Sequence, residues 1–318
     1  ETLGYMRHSK GYVSISEQRA EVATVPDPRS TMAALLAKKY SLSATINNSA
    51  GQQAARRKSF RPIRANLLAA VKAKKGEAAD DLALKKELLQ FELGEAERFL
   101  VESKSLTAGF YVNPETTQAI LDIDLTAIAD TGLAKSIQGL CTTPSHFAGI
   151  PRAKTAILSG RIHHPLDSFR QTGLQGVLTA ARNAIHGDIQ RKAAATDAQK
   201  AASTEVLDTV VAVMQSALTK GLLDGFVEVR PAEGGVNVMV AGIRTVEGQR
   251  LRAALAAIPN STFATDVTLD STKAGEVTIH QVTVPADLHT DFAALFGDSQ
   301  IILVGTSADA AWCAAGPG

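Results

Sequence analysis

Apolar and polar residues alternate along several short stretches of this chain, and longer segments with helical periodicity run between them. Tyr40-Ser41-Leu42-Ser43-Ala44-Thr45-Ile46 and Ala156-Ile157-Leu158-Ser159-Gly160-Arg161-Ile162 each predict a half-buried strand. Leu84, Leu88 and Phe91, flanked by Leu89, Leu93, Ala96 and Leu100, recur at i, i+3, i+4 and predict a helix with a broad apolar face. Val206, Val210, Val213 and Ala217, beside Leu207, Val211, Met214 and Leu218, predict a second one. Its start is read at Ser203-Thr204-Glu205 and its stop at Gly221. Residues 226–230 and 236–240 alternate on either side of Pro231-Ala232-Glu233-Gly234-Gly235 and predict a hairpin. Phe110-Tyr111-Val112, the turn Asn113-Pro114-Glu115 and residues 120–125 predict its counterpart upstream, and residues 249–258 a short helix. At the ends, residues 11–16 with 19–24, and 301–305 with 311–314, read as two further hairpins.

These elements recur at one spacing. Ser30-Thr31-Met32-Ala33, Ser145-His146-Phe147-Ala148 and Ser261-Thr262-Phe263-Ala264 lie 115 and 116 residues apart. Residues 43–46 and 159–162, Gly109-Phe110 and Gly225-Phe226, and Gly132 and Gly248 keep the same offset. Four matches in one order at one offset imply an internal duplication. The implied organisation is an N-terminal partial unit at 1–29, a first repeat at 30–144, a second at 145–260 and a C-terminal partial unit at 261–318. Hairpins joined by helices predict an α+β fold, a duplicated unit of antiparallel hairpins with long amphipathic helices packed on one face of the sheet. Strands of neighbouring units are free to share a sheet, because no Pro- or Ser-rich linker marks the borders.

Composition narrows the class. The 318 residues are 45% hydrophobic and 20% charged, which excludes wholesale disorder and suits one large domain or two ordinary ones. A net charge of +1 argues against a nucleic-acid binder, and no apolar run reaches the ~20 residues of a membrane-spanning helix. The start at Glu1 and the Gly-Pro-Gly end are expected of a processed or trimmed chain, and a cleaved export signal would leave such a start. Cys141 and Cys313 show no metal-ligand spacing and fit either one disulfide or two buried thiols.

The familiar catalytic and nucleotide-binding motifs are missing, and no cofactor is implied. His163 and His164 with Asp167 form the one local candidate metal site, that of a metal-dependent hydrolase. Adjacent strand residues point to opposite faces, so both imidazoles reach one ion only if the strand has ended before them. Asn47-Asn48 occupy the matching positions of the first copy, which favours a strand-to-loop exit. Between Asp27 and Glu77 every charged residue is basic. Arg56, Arg57, Lys58, Arg61 and Arg64 in that stretch form either an anion-binding patch, for a glycan or a lipid headgroup, or one half of two helices with complementary charge. Aromatics are 5% of the chain, which gives base stacking little support and favours close packing over a lined ligand tunnel.

Pro144-Ser145-His146-Phe147-Ala148-Gly149-Ile150, the strand at 156–162 and the hairpin at 225–240 resemble a pattern in exported bacterial tandem-repeat proteins, in which such hairpins alternate with Pro-Ser-x-Phe-Ala segments and long helices. The resemblance spans most of residues 30–264, with Met32 replacing the aromatic of the first signature and Thr265 replacing Gly149 in the third. It carries over no functional residue. It implies an extracytoplasmic, secreted or periplasmic, non-enzymatic protein that binds a protein or envelope component, or serves as envelope structure. A carrier of lipid or another apolar ligand, held between sheet and helices, is the alternative of a different class.

Overall fold

The computed structural model describes residues 4–9, 12–16, 19–24, 33, 37–38, 40–48, 50–115, 118–140, 142 and 144–317. The chain is α+β, and it separates into two compact units, Glu1–Gln52 with Ser103–Ile128, and Gln53–Glu102 with Ala129–Gly318. The division follows the sheets and cuts across the linear order of the chain. Residues 30–32 of the first signature, and Cys141, lie outside the described residues.

The first unit holds two small antiparallel sheets. Strands β1 (Tyr5–Ser9) and β2 (Tyr12–Ser16) form a hairpin, and α1 (Arg19–Thr24) follows it. Residues 19–24 are therefore helical, whereas the sequence reading made them a strand paired with 11–16. Their Arg, Ala and Glu content favours helix, and the Arg7 guanidinium fastens the turn by donating to the Ala23 carbonyl at 2.8 Å. Strands β3 (Leu42–Asn47), β4 (Ser103–Asn113) and β5 (Gln118–Ala127) form a three-stranded sheet in the order β3-β4-β5. Leu42, Phe110 and Leu121 are cross-strand partners, as are Ala44, Ala108 and Ile123, so one face is wholly apolar. The polar face is covered only in part, with Thr45, Asp124 and Thr126 exposed. There the Tyr40 ring lies flat on Gly109, where a Cβ would meet it at 2.3 Å, and its hydroxyl donates to Asp122 at 2.9 Å. The apolar face is left open, with Leu42 73%, Leu121 65% and Ile123 66% exposed.

The second unit contains the long helices α2 (Gln53–Ala70), α3 (Ala79–Glu102), α5 (Ser168–Arg191) and α6 (Asp197–Thr219), and the short α4 (Gly132–Gly139), α7 (Leu251–Ala257) and α8 (His289–Phe296). Its sheet runs β6 (Leu158–Pro165), β7 (Leu222–Pro231), β8 (Asn237–Arg244), β12 (Ala310–Ala315), β11 (Ile301–Thr306), β10 (Val277–Thr283) and β9 (Val267–Ala274), antiparallel throughout. The long helices pack chiefly on one another, in the sequence α2, α3, α5, α6.

The α3–α5 crossing is made close by reciprocal glycines. Phe169 of α5 fills the space over Gly94 of α3, and Phe91 of α3 fills that over Gly173 of α5, where a Cβ would stand 2.4 Å from the Phe91 ring. The two rings stack at 6.3 Å. The predicted start of α6 is corrected. The helix begins nearly two turns earlier, where Thr196 and Gln199 form a capping box, and Ser203 is an interior residue, fully buried. Its hydroxyl donates to the Gln199 carbonyl and accepts the Thr262 N–H. Gly221, at φ +70, does stop the helix and turns the chain into β7.

Candidate functional site

The two faces of the β6–β7–β8–β12 half of the sheet have different fates, set by strand alternation. On one face Arg161, Phe226, Gly242 and Trp312 stand in a row across the four strands. The signature segment lies over this row. Phe147 is 1% exposed, and its ring centroid is 5.1 Å from that of Phe226 and 5.2 Å, edge-on, from that of Trp312. Gly242 supplies the space beneath it, since a Cβ there would stand 2.9 Å from the Phe147 ring.

Buried Asp224 latches this segment: one carboxylate oxygen accepts the Ser145 hydroxyl at 2.7 Å and the other the His146 N–H at 2.6 Å. Arg161 donates to the carbonyls of Phe147 and Ile150, and Glu228 accepts the Ala153 N–H. The Ser145 hydroxyl is thus tied on both sides, donating to Asp224 and accepting the Phe147 N–H. The same turn recurs at Ser261. The Ser145 oxygen accepts the N–H of Phe147 at 3.1 Å, and the Ser261 oxygen that of Phe263 at 3.1 Å.

The opposite face is a depression of about 600 Å³ lined by strands alone. Its floor is Gly160, Gly225, Ala241 and Ala311, and Ile162, Ile243 and Val227 rise from it. Small residues on the middle strands leave a hollow where side chains would otherwise fill the pleat. Cys313 contributes a free thiol to the lining, and burial pushes its pKa up.

The proposed metal ligands are not brought together. Strand β6 runs through His163 and His164 to Pro165, so the predicted exit before them is corrected: an edge strand tolerates the missing proline N–H, and alternation separates the two rings. His163 Nδ1 lies 3.5 Å from Asp224, whereas His164 Nε2 meets the Arg170 guanidinium at 2.6 Å. Asp167 caps α5, accepting the Arg170 N–H at 3.0 Å. Among the described residues no group of three or more His, Cys, Asp or Glu is placed to hold a metal ion.

What surrounds Asp167 is a charge network that sequence reading missed. Glu95 takes Arg170 bidentately, at 3.0 and 2.6 Å, and Arg98 donates to Asp167 at 2.6 Å while lying over the Phe169 ring. Arg170 also donates to Ser136 of α4, and Glu102 accepts the Leu133 N–H at the start of that helix. Burial would raise the Asp167 carboxyl, but the bonds from Arg98 and from the Arg170 N–H outweigh it and hold its pKa below the usual range. Burial, then the Arg170 charge, lowers that of His164. In the basic stretch, Arg57 and Arg64 of α2 both reach Glu97 of α3, at 3.2 and 3.3 Å, and Arg56 donates to the Val101 carbonyl. Lys58 and Arg61 of the same helix are exposed. The reading of two helices with complementary charge describes this arrangement.

Among the described residues no helix is long and apolar enough to cross a membrane. No protein-family model matches the chain, and no curated protein or solved structure is significantly similar to it. Fold and depression define an α+β protein that carries open apolar sheet surface in both units.

Proposed function

We propose that this chain is a non-enzymatic binding protein, exported from the cytoplasm and serving the cell envelope or its surroundings, whose binding element is the depression on the β6–β7–β8–β12 face. The observation that carries the reading is the depression itself. About 600 Å³ of hollow lined almost entirely by carbon, with Ile162 and Ile243 still 45% and 39% exposed, is a surface that gains by being covered. The duplication is part of the reading. Strand, two long helices, two strands and a short helix follow one another from β3 to α4 and again from β6 to α7, with the same antiparallel pairing, and the Ser145 turn reappears 116 residues on at Ser261. Such a repeat supports kinship with exported tandem-repeat proteins.

Carriage of an apolar ligand is the second reading, favoured by a volume above the ~300 Å³ of small ligand pockets. Against it stands the shape, an open hollow on a sheet face and not a chamber between layers. Native mass spectrometry of protein purified from its own host without denaturant separates the two. A retained lipid makes the chain a carrier. An apo mass, with an apolar fluorescent probe that binds the parent protein and is lost in Ile243→Lys, supports a docking surface. A probe that binds Ile243→Lys as well as the parent refutes the depression as the binding element.

A further inference from the structure

We propose that the occupant of the depression is the three-stranded sheet of a second copy of this chain, so that copies add head to tail. This rests on the binding reading above and names the partner for it. The two open faces are opposite in relief. The β3–β4–β5 face carries large side chains that project into solvent, Leu42, Phe110, Leu121 and Ile123 among them, whereas the β6–β7–β8–β12 face is floored by glycine and alanine.

Volume matches. A hollow of ~150 Å³ is what one deleted large apolar side chain leaves, so about 600 Å³ takes roughly four such groups. Each large side chain so covered removes roughly 100 Å² of apolar surface, so the four that the hollow takes bury about 400 Å² on the projecting side. The hollow face gives up less, so the total stays under ~1,000 Å², the size of a weak, transient contact. Antiparallel sheets pack face to face by interdigitating side chains at ~10 Å, which is the contact that large groups over small ones allow. Two hollow faces would leave a void, and the projecting face paired with itself is the case in which Ile243→Lys still dimerises alone. A contact between different patches is heterologous, so successive copies add head to tail, as a ring where the rotation closes and as an open array where it does not.

The test uses the full chain in sedimentation velocity from about 1 to about 100 μM, the range that reports weak association. The parent protein is expected to pass from monomer to dimer and larger species. Leu121→Lys blocks the projecting face and Ile243→Lys the hollow one. Both sites are solvent-exposed, and circular dichroism reports that each variant is folded. Each variant alone is expected to stay monomeric. Mixed one to one they should form a dimer that grows no further, because each supplies the face the other lacks.

A parent chain that stays monomeric throughout overturns the proposal, as does either variant dimerising alone. If the parent stays monomeric but still binds the apolar probe in an Ile243-dependent way, the depression keeps its binding role and the second copy is excluded as its partner. A second readout needs no surface variant. In a Cys141→Ser background, maleimide labelling of Cys313 should slow several-fold at high protein concentration, and an unchanged rate refutes the contact.

Discussion

Replacing Asp224 by alanine should release the segment that covers Phe226 and Trp312. Within the segment the carboxylate holds two donors, the Ser145 hydroxyl at 2.7 Å and the His146 N–H at 2.6 Å, and His163 Nδ1 lies 3.5 Å from it on the neighbouring strand. An unsatisfied buried donor costs ~1–3 kcal/mol, and the serine hydroxyl can rotate to a new partner, so the net loss should be about 2–4 kcal/mol. Phe147→Ala removes the ring that Asp224 helps to seat and should cost ~3–5 kcal/mol. Both act on one segment, so the double variant should cost less than the sum. Trp312 is the chain's sole tryptophan and packs against Phe147, so its emission reports this cluster alone. Urea titration followed by that emission should show both single variants unfolding earlier, with a native-state red shift in each. If Asp224→Ala unfolds within ~0.5 kcal/mol of the parent and keeps the parent emission, while Phe147→Ala shifts both, the carboxylate does not hold the segment.

Other substitutions probe the helices and the charge network. Gly173→Val puts a branched side chain where even a Cβ would lie 2.4 Å from the Phe91 ring, and overpacking should cost ~1–3 kcal/mol by thermal or urea denaturation, with Phe91→Leu restoring part of it. Acid should weaken the second unit in two stages. His164 binds its proton more weakly folded than unfolded, so the stability it lends is complete above its unfolded value near ~6.5 and falls as the pH drops from there toward its folded value. Asp167, also lowered, contributes fully above ~3.9 and loses its share as the pH falls further. His280 is lowered by burial as well and shares the first window, so His164→Gln should shrink the first decline in a plot of urea midpoint against pH and leave the share of His280, while Asp167→Asn should shrink the second. A first decline unchanged in His164→Gln owes nothing to His164.

Strands and hairpins were legible where alternation is clean. Residues 226–230 and 236–240 became β7 and β8, and 301–305 and 311–314 became β11 and β12, because period-two burial leaves its mark on composition. The start of α6 was misread because Ser203-Thr204-Glu205 has the makeup of a helix cap, while the true box opens seven residues earlier as Thr196-Asp197-Ala198-Gln199. Ser203 looks like a cap in sequence because it is a hydroxyl serving a backbone N–H, but the N–H it serves belongs to Thr262. The β9–β10 hairpin went unread although Val277-Thr278-Ile279-His280-Gln281-Val282-Thr283 is rich in β-branched residues. The Glu95–Arg170 and Arg98–Asp167 pairs were out of reach for a different reason. Their partners are 75 and 69 residues apart and meet only because two Phe–Gly contacts bring α3 and α5 close enough.

Alternation also fails to say which face of a sheet is covered, and here register decides. At the repeat offset Gly109-Phe110 matches Gly225-Phe226, yet Leu42 pairs with Phe110 while Leu158 pairs with Val229, three residues past Phe226. An odd shift moves a residue to the other face. Phe110 therefore stays on the open face beside Leu42 and Leu121, whereas Phe226 turns inward to join Phe147 and Trp312 and leaves Gly225 on the open side. That slip makes one open face project and the other recede. The two phenylalanines should then respond in opposite ways. Phe226→Ala should destabilise the second unit by ~3–5 kcal/mol and shift Trp312 emission. Phe110→Ala, at a site 39% exposed, should change the stability of the isolated chain by less than ~1 kcal/mol and instead weaken its self-association. Equal destabilisation by both, in urea titrations at low protein concentration, would mean that the Phe110 face is already buried and that the difference in register has no consequence for assembly.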